Sequence, residues 1–373
     1  MNPWLFLLFT LIFAALVAAH FVPAWRAWRR WRGEQPSDID PGYVRMEDYF
    51  ARSFRVKVCD WLLLPVQAAT PDGVRVIDKG RERIRESGPA DYPPRSQSDE
   101  IIVVNGTFRC GAGCIFNREI LIHGDGVVGA GSRIQSVAAD GDLVLGSSVR
   151  VARWADSAAE LEVGTDSSVG ARVTAGRSIL LMRGSQVTSA YAPRVMTPPR
   201  RSEDSSDGPE AAVPEAAIPV SADEADVDNR LKLWKLDPRK LSRLGSECWV
   251  YRGDLLPSVP IHVTTRLVVK GHCTLPGGSV LDGDLKVNGR LRLGAHSVAQ
   301  GNLVATADVS IGPESRFYGV VHAGGKLRLG RAVSGGSPDK QVAAFAADTF
   351  TLEEGIVVFG KVASGDRVTV AAG

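Results

Sequence analysis

The chain has 373 residues, and its 44 basic and 42 acidic side chains leave a formal net charge of only +2. That balance gives no electrostatic argument for a nucleic-acid partner. The 39 glycines argue against an all-helical protein, because glycine weakens helix interiors. The five cysteines form no metal-binding or redox spacing, so we expect reduced and mostly buried thiols and predict no metal or cofactor.

The first element predicted from the sequence is a membrane anchor within residues 1–32. An uncharged apolar run from Leu5 to Val22 is just long enough to span a bilayer. Arginines follow this run, so the positive-inside rule predicts a single-pass anchor with the main domain in the cytoplasm. The rival interpretation is a cleaved signal peptide, which needs a basic segment before the apolar run. The predicted anchor residues are Trp4, Leu5, Phe21, Trp25, Arg26, Arg29 and Arg30.

Residues 33–99 follow as a mixed juxtamembrane region that is predicted to be partly helical, around Arg45 to Leu64. The sequence assigns this region no chemistry. The apolar group Trp61 to Leu64 has two possible positions, against the following domain or on the membrane surface.

The strongest signal in the chain is a repeat of 18 residues between 277 and 330. Leu291, Val309 and Leu327 are 18 residues apart, and a finer period of six lies inside that repeat. Eighteen is three sixes, so the pattern predicts a three-sided β-helix with one inward apolar residue per side. The apolar six-residue series is Val287, Leu293, Ala299, Ala305, Ile311, Phe317, Ala323 and Leu329.

The same period predicts two β-helix blocks, at residues 100–191 and 246–373. In the first block, Leu145 to Val187 follow the six-residue series with Ser157 as the only polar member, and bulged turns are expected between Ile101 and Gly141. In the second block, Phe350 lies 23 residues after Leu327, which predicts a five-residue insertion around residues 334–341.

Residues 192–245 separate the two blocks. Between residues 200 and 228 there are nine acidic and two basic side chains, and five prolines lie nearby. Such a composition cannot bury enough apolar surface to offset the entropy of ordering, so it predicts a flexible insertion. A short helix is expected from Asn229 to Leu244.

The repeat resembles the bactofilins, the polymer-forming cytoskeletal proteins of bacteria. The resemblance rests on alternating GDL or GNL openings and L-x-L-G or V-x-I-G steps in the run GGSVLDGDLKVNGRLRLGAHSVAQGNLVATADVSIGPESRFYGVVHAGGKLRLG. It implies a right-handed, three-sided β-helix that acts as a non-enzymatic scaffold at the bacterial inner membrane. The implied partners are another copy of this chain or another bactofilin, and cell-wall or cell-shape machinery. The added membrane span, the second block and the acidic insertion depart from the family pattern and put filament formation in doubt.

Two other functions stay open at this stage. The six-residue period also describes the left-handed helices of hexapeptide acyltransferases, and His322 is the best candidate for a catalytic base in such an enzyme. His272, His296 and His322 lie 24 and 26 residues apart, so they form no column across neighbouring turns. A third possibility is an extracytoplasmic β-helix that acts on polysaccharide. We predict no catalytic residue.

Charged residues at the 18-residue period are predicted to be structural. Asp142 and Glu160 open successive turns, and Arg290, Asp308 and Lys326 form a column in which the sign of the charge alternates. Alternating signs on neighbouring strands favour a stabilising surface ladder over catalysis.

The ends of a solenoid expose an apolar interior and unpaired backbone groups. The most apolar terminal turn lies close to the C-terminus, so we predict that this turn forms a self-association surface. The alternative is that residues 361–373 fold back and cap this end. The predicted self-association residues are Phe350, Leu352, Ile356, Val357, Val358 and Phe359.

Overall fold

The computed structural model describes Trp4 and residues 46–65, 68–69, 73–80, 82–199, 237–244 and 248–371. The chain divides into two compact units, Met1–Tyr49 and Phe50–Gly373. The second unit is mostly β and forms a right-handed β-solenoid of about 14 turns with about 18 residues per turn.

In the part of the chain described from residue 46 onward, an α-helix, α1 (Tyr49–Leu62), precedes the strands and confirms the predicted helical stretch. Its buried residues recur every three or four positions, which places them on one helix face. This face covers the outer side of the first solenoid block, and Phe54 meets Trp154 edge to face at a ring distance of 5.7 Å. Trp61 is buried in the same cluster, whereas Leu63 is 85% exposed.

The first block begins with an antiparallel hairpin and continues as parallel turns. Its strands are β1 (Ala68–Ala69), β2 (Arg75–Lys79), β3 (Glu82–Ser87), β4 (Ala90–Tyr92), β5 (Gln97–Ser98), β6 (Ile101–Val104), β7 (Phe108–Cys110), β8 (Ile115–Ile122), β9 (Gly126–Val128), β10 (Arg133–Ala139), β11 (Leu143–Leu145), β12 (Arg150–Val151), β13 (Trp154–Ser157), β14 (Glu160–Val163), β15 (Ser168–Ala175), β16 (Ser178–Leu181) and β17 (Gln186–Met196).

The second block begins with a 3₁₀ turn at Pro238–Lys240 and a strand that runs antiparallel to its neighbour. Its strands are β18 (Leu241–Arg243), β19 (Cys248–Tyr251), β20 (His262–Val263), β21 (Arg266–Val269), β22 (Cys273–Leu275), β23 (Val280–Leu281), β24 (Leu285–Val287), β25 (Leu291–Leu293), β26 (Val298–Ala299), β27 (Leu303–Ala305), β28 (Val309–Ile311), β29 (Arg316–Phe317), β30 (Val321–Ala323), β31 (Leu327–Leu329), β32 (Ser334–Gly335), β33 (Val342–Ala346), β34 (Phe350–Leu352) and β35 (Val357–Val370).

The six-residue series marks the core, as the sequence predicts. Every residue of both series is buried, including Ser157, whose hydroxyl donates to the carbonyl of Gly141 at 2.7 Å. Parallel pairing confirms the 18-residue register, for example from Leu291 to Val309 and from Val309 to Leu327. Short strands with one inward residue per side stack into a triangular column.

The two predicted irregularities are also confirmed. In the first block, Ile120 pairs with Val137, one residue short of the regular step, and the register shifts beside Ile134. In the second block, Leu327 pairs with Phe350, so the additional residues leave the column between β32 and β33 and the register then resumes.

Serines and acidic side chains at the corners bind the backbone of neighbouring turns. The buried Ser315 hydroxyl accepts a hydrogen bond from the Ser297 N–H at 3.1 Å and donates to the Gly294 carbonyl at 3.1 Å. The Ser279 hydroxyl likewise accepts a hydrogen bond from the Ile261 N–H. The repeated serines therefore satisfy buried backbone groups that the corners leave unpaired.

The two blocks meet at their C-terminal turns and run in opposite directions. Strands β17 and β35 pair antiparallel over eight residue pairs, from Gln186 opposite Thr369 to Met196 opposite Val357. Each of these long strands is the last turn of its block and pairs on all three sides with the turn before it. The seam therefore joins both blocks into one continuous column.

Some predicted boundaries differ from the structure. The parallel turns of the first block start at β3 rather than at residue 100, because Arg85 and Ser87 stand in line with the inward Ile102 and Val104 and hide the apolar period. The second block starts at β18, where part of the predicted helix Asn229–Leu244 is a strand instead. The first block extends to Met196, whereas the predicted insertion begins at residue 192, and Pro238–Lys240 of the predicted helix is a 3₁₀ turn. Residues 200–236, which carry the acidic part of the predicted insertion and the start of that helix, lie outside the described residues.

Candidate functional surfaces

The predicted membrane anchor lies outside the described residues except for Trp4, which is helical and 77% exposed. Among the residues that the structure does describe, no helix combines the length and apolarity that crossing a bilayer requires.

Of the predicted self-association residues, Val357, Val358 and Phe359 lie in the seam strand β35 and Ile356 directly precedes it, whereas Phe350 and Leu352 lie in β34 of the same block. Phe350, Leu352, Ile356 and Val358 are each at most 1% exposed. Val358 lies opposite Val195 of the first block, and Val357 lies opposite Met196. The end that we expected to bind a second copy is therefore covered by this chain's own first block, which the repeat pattern alone could not indicate. Residues 361–370 belong to the same strand β35.

Polar contacts close the seam at its edges. The Thr197 hydroxyl donates to the Glu353 carbonyl at 2.7 Å and accepts from the Ile356 N–H at 2.9 Å. Arg183 forms an ion pair with Glu354. Backbone pairing, buried apolar side chains and these edge contacts together make the seam a part of the fold.

The histidines occupy separate positions along the column. His322 stacks on Phe345 at a ring distance of 5.3 Å, on the outer side of β30. His272 accepts a hydrogen bond at Nδ1 from the Arg290 N–H at 3.0 Å, which assigns it to a corner. Within the described residues, no group of three or more His, Cys, Asp or Glu side chains could hold a metal ion.

The carboxylates singled out from the sequence bind backbone groups. Asp142 Oδ1 accepts from the Glu160 N–H at 3.0 Å and lies 3.0 Å from Arg177. Asp308 Oδ1 accepts from the Lys326 N–H at 2.9 Å. The 18-residue spacing of these acids therefore reflects a side-chain-to-backbone ladder at the corners, where we expected alternating charges.

A partly buried polar network holds α1 on the first block, and the sequence did not indicate it. Arg55 of α1 contacts Asp156 at 2.6 Å and Asp140 at 2.9 Å, and it donates to the Ala139 carbonyl at 2.9 Å. Thr174 donates to the other oxygen of Asp156, and His123 lies 2.7 Å from Asp140. Because the partners are far apart in the chain, only the fold brings them together.

The electrostatics of this network favour its charged form. Burial raises the pKa of Asp140, but hydrogen bonds from His123 and Arg55 outweigh burial, so the pKa is lowered. Burial lowers the pKa of Arg55, but the attraction and hydrogen bonds to Asp156 and Asp140 together outweigh burial, so the pKa is raised. Arg55 therefore acts as an anchor between helix and solenoid.

The cysteines are all free. Burial raises the pKa of Cys110 to about 11 and that of Cys273 to about 12, so both thiols are unreactive at neutral pH. Cys114 is buried, Cys248 is half-buried and Cys59 is exposed. This distribution fits the expected set of mostly buried thiols.

The N-terminal end of the second block carries exposed apolar side chains. Leu244 is 66% exposed, Leu256 is 59% exposed and Val259 is 36% exposed. All three lie beside the first turn of this block, where Leu255 pairs with Cys273 of the next turn. No period marks these residues, because each occurs once, at the end of the array.

A cleft of about 600 Å³ follows one corner of the second block and reaches the seam. Its lining combines two tyrosines, three side-chain amides, two lysines, one carboxylate and a glycine-rich corner. The lining residues are Tyr191, Asp284, Gln300, Gly301, Asn302, Tyr318, Gly319, Val320, Lys340, Gln341, Val342, Ala343, Gly360 and Lys361. Tyr191 comes from the first block, so only the tertiary structure assembles the complete cleft.

Comparison of the chain with models of protein families, with curated proteins and with solved structures found no match.

Proposed function

We propose that this protein is a membrane-tethered, bactofilin-like scaffold that self-associates or binds a bactofilin polymer and organises cell-envelope or cell-shape machinery. The single observation that carries the proposal is the seam, in which two solenoid ends of this chain join by antiparallel pairing on all three sides. A solenoid end of this sequence is thus able to pair with another end through its own strand edge. The right-handed coil differs from the left-handed coil of hexapeptide acyltransferases, which favours a scaffold over that enzyme.

The two remaining ends of the column differ in chemistry. At the first turn of the first block, Arg85 contacts Glu100 at 2.6 Å and Arg75 contacts Glu86 at 2.7 Å. The hairpin formed by β1 and β2 also covers this end. Charged side chains and a covering hairpin protect a terminal turn from pairing with another chain.

The corresponding end of the second block is apolar. Leu244, Leu256 and Val259 are exposed there, and the edge strand is β18. The Leu244 N–H donates to the Cys248 carbonyl, and the Arg252 N–H donates to the Lys240 carbonyl. Because hydrogen-bonded and non-hydrogen-bonded pairs alternate in an antiparallel ladder, the N–H and carbonyl of Leu241 point away from β19, toward the outer edge of the sheet. This end offers both apolar surface and a strand edge, the two features that the seam uses.

A single adhesive end limits the assembly. Two identical ends that bind each other form an isologous twofold contact, which uses up both surfaces. Self-association through the second block therefore yields a pair of columns joined end to end, and a longer polymer requires a different partner. A limit of two columns per assembly agrees with the features that depart from the bactofilin pattern, which are the predicted membrane span, the second block and the acidic insertion.

The test is sedimentation of the full-length protein in detergent micelles, without added nucleotide. We expect a dimer for the wild type and a monomer for the double variant Leu244→Glu and Leu256→Glu, because two buried carboxylates oppose the contact. The matched control is Val127→Glu, since Val127 is 40% exposed on the side of the first block.

A monomeric wild-type protein, or a dimer that survives the double variant, would contradict this interface. Loss of the dimer in the Val127 control would contradict it as well. An acyltransferase activity of the purified protein that is lost in His322→Ala would overturn the scaffold function itself.

A further inference from the structure

The corner cleft runs along the column. Its lining extends over successive turns through Asp284, Asn302, Val320, Ala343 and Lys361, and it ends at Tyr191 across the seam. Five steps at the usual strand spacing give a length of about 24 Å. The same corner recurs at every turn of this groove. The groove therefore fits an extended polymer whose repeating units are about as long as the spacing between neighbouring turns.

One wall of the cleft is the insertion that interrupts the 18-residue repeat. Ser337 and Lys340 pair with each other through backbone hydrogen bonds of 3.0 and 3.1 Å, so the insertion forms a closed turn. Gln341 follows this turn and accepts a hydrogen bond from the Tyr191 hydroxyl at 3.3 Å. The irregular part of the second block and the last turn of the first block therefore shape the cleft together.

The polar groups along the floor are fixed before any ligand binds. The Asn302 amide donates to Asp284 Oδ1 at 2.9 Å, and its oxygen accepts from the Val320 N–H at 2.8 Å. Gln300 is exposed one position from the corner glycine Gly301. Fixed amides and carboxylates reduce the entropic cost of binding a hydroxyl-rich ligand.

Aromatic surface completes the lining. Tyr318 and Tyr191 are half-buried, so each presents part of its ring to the cleft. Tyrosine offers a rigid apolar face and a polar tip, which suits a ring with apolar C–H faces and hydroxyl edges. Gly319 beside Tyr318 leaves the corner free of a side chain at that level.

We propose that this cleft binds a linear glycan chain, with its sugar rings following the turns of the second block. The length and the repeat of the groove favour a chain of β-linked sugars over a compact ligand. The tyrosines stack on sugar faces, and Gln300 and Asn302 bind hydroxyl groups. This site is independent of the apolar end used for self-association.

The test is calorimetric titration of the full-length protein in detergent micelles with chitopentaose and with cellopentaose. We expect saturable binding of at least one of them in a one-to-one ratio. Tyr318→Ala should weaken binding by at least about tenfold, whereas Tyr318→Phe should change it by less than about threefold, because the ring supplies the stacking surface. Gln300→Ala should weaken binding severalfold.

The matched control is Asn288→Ala, which removes an exposed amide at a different corner of the same block. Binding should be unchanged in this variant, and sedimentation should be unchanged in all of them. Absence of binding by both sugars, or equal effects of Gln300→Ala and Asn288→Ala, would overturn the proposal. Binding of an extended pentapeptide but of neither sugar would overturn it in favour of a peptide site.

Discussion

Ala190 lies directly opposite Val362 in the antiparallel seam, and neither side chain is exposed to solvent. The two residues belong to the last turns of the two blocks, which are separated in the chain by the whole second block. Their pairing reverses the chain direction within one column. It also covers the end that would otherwise be the most apolar surface of the molecule.

The seam should be essential for stability. Val358→Asp places a carboxylate at a fully buried position opposite Val195 and should lower the free energy of unfolding by more than about 3 kcal/mol. Urea unfolding monitored by circular dichroism measures this change. Val127→Asp, at an exposed strand position, should change stability by less than about 0.5 kcal/mol. Equal effects of the two substitutions would show that the seam is not a buried interface.

Arg55 should anchor α1 to the solenoid. Arg55→Gln removes the cation between Asp156 and Asp140 and should lower the free energy of unfolding by about 3 kcal/mol, since Asp156 stays buried without a cationic partner. Hydrogen exchange should increase in α1 and not in the second block. Addition of Asp156→Asn should restore part of the loss, because the neutral amide needs no cation. Unchanged exchange in α1 would contradict the anchor.

The same network should make the first block sensitive to acid. The pKa of Asp140 is lowered in the folded protein, so its contribution to stability is present above the unfolded pKa of about 3.9 and is lost as pH falls through the folded value. The midpoint of thermal unfolding should therefore decrease below about pH 4. Asp140→Asn should flatten this decrease and have its largest effect at neutral pH. An identical pH profile for the variant would contradict the assignment.

The corner glycines should be required by close packing between turns. At Gly319, an added Cβ would lie 2.3 Å from the backbone carbonyl oxygen of Gly301. Gly319→Ala should therefore lower the free energy of unfolding by about 2 kcal/mol. Gly88 has no atom within 4 Å of an added Cβ, so Gly88→Ala should be neutral or slightly stabilising. The urea unfolding midpoints of Gly319→Ala and Gly88→Ala, each compared with the wild type, test this prediction.

Much of the column could be predicted because each turn repeats the same inward apolar positions and the same corner hydrogen bonds. An inward position every six residues, such as Leu293, Ile311 or Leu329, specifies the core of its own turn whatever the rest of the chain does. Ser315 likewise satisfies the N–H of Ser297 and the carbonyl of Gly294 in the preceding turn, so the 18-residue spacing of these serines is visible in the sequence. The insertion before β33 was predicted for the same reason, because the register resumes after it.

The first turn of the first block is not apparent in the sequence because two of its inward positions are polar. Arg85 and Ser87 stand in line with the apolar Ile102 and Val104 of the next turn, and the ion pair between Arg85 and Glu100 replaces apolar contact at that end. The apolar period therefore disappears where the column ends, although the backbone continues the same turns.

The sequence by itself determined the shape of each block, since periodic side chains repeat the same short-range contacts from turn to turn. Only the tertiary structure decided how the blocks join. Ala190 pairs with Val362 across two strand edges, and the apolar residues of these two strands follow the same period as every other turn, so nothing in the sequence distinguishes them. It likewise decided that Arg55 meets Asp156 and that Tyr191 completes the cleft. Each of these contacts joins segments that carry no matching signal in the chain, so folding alone brings them together.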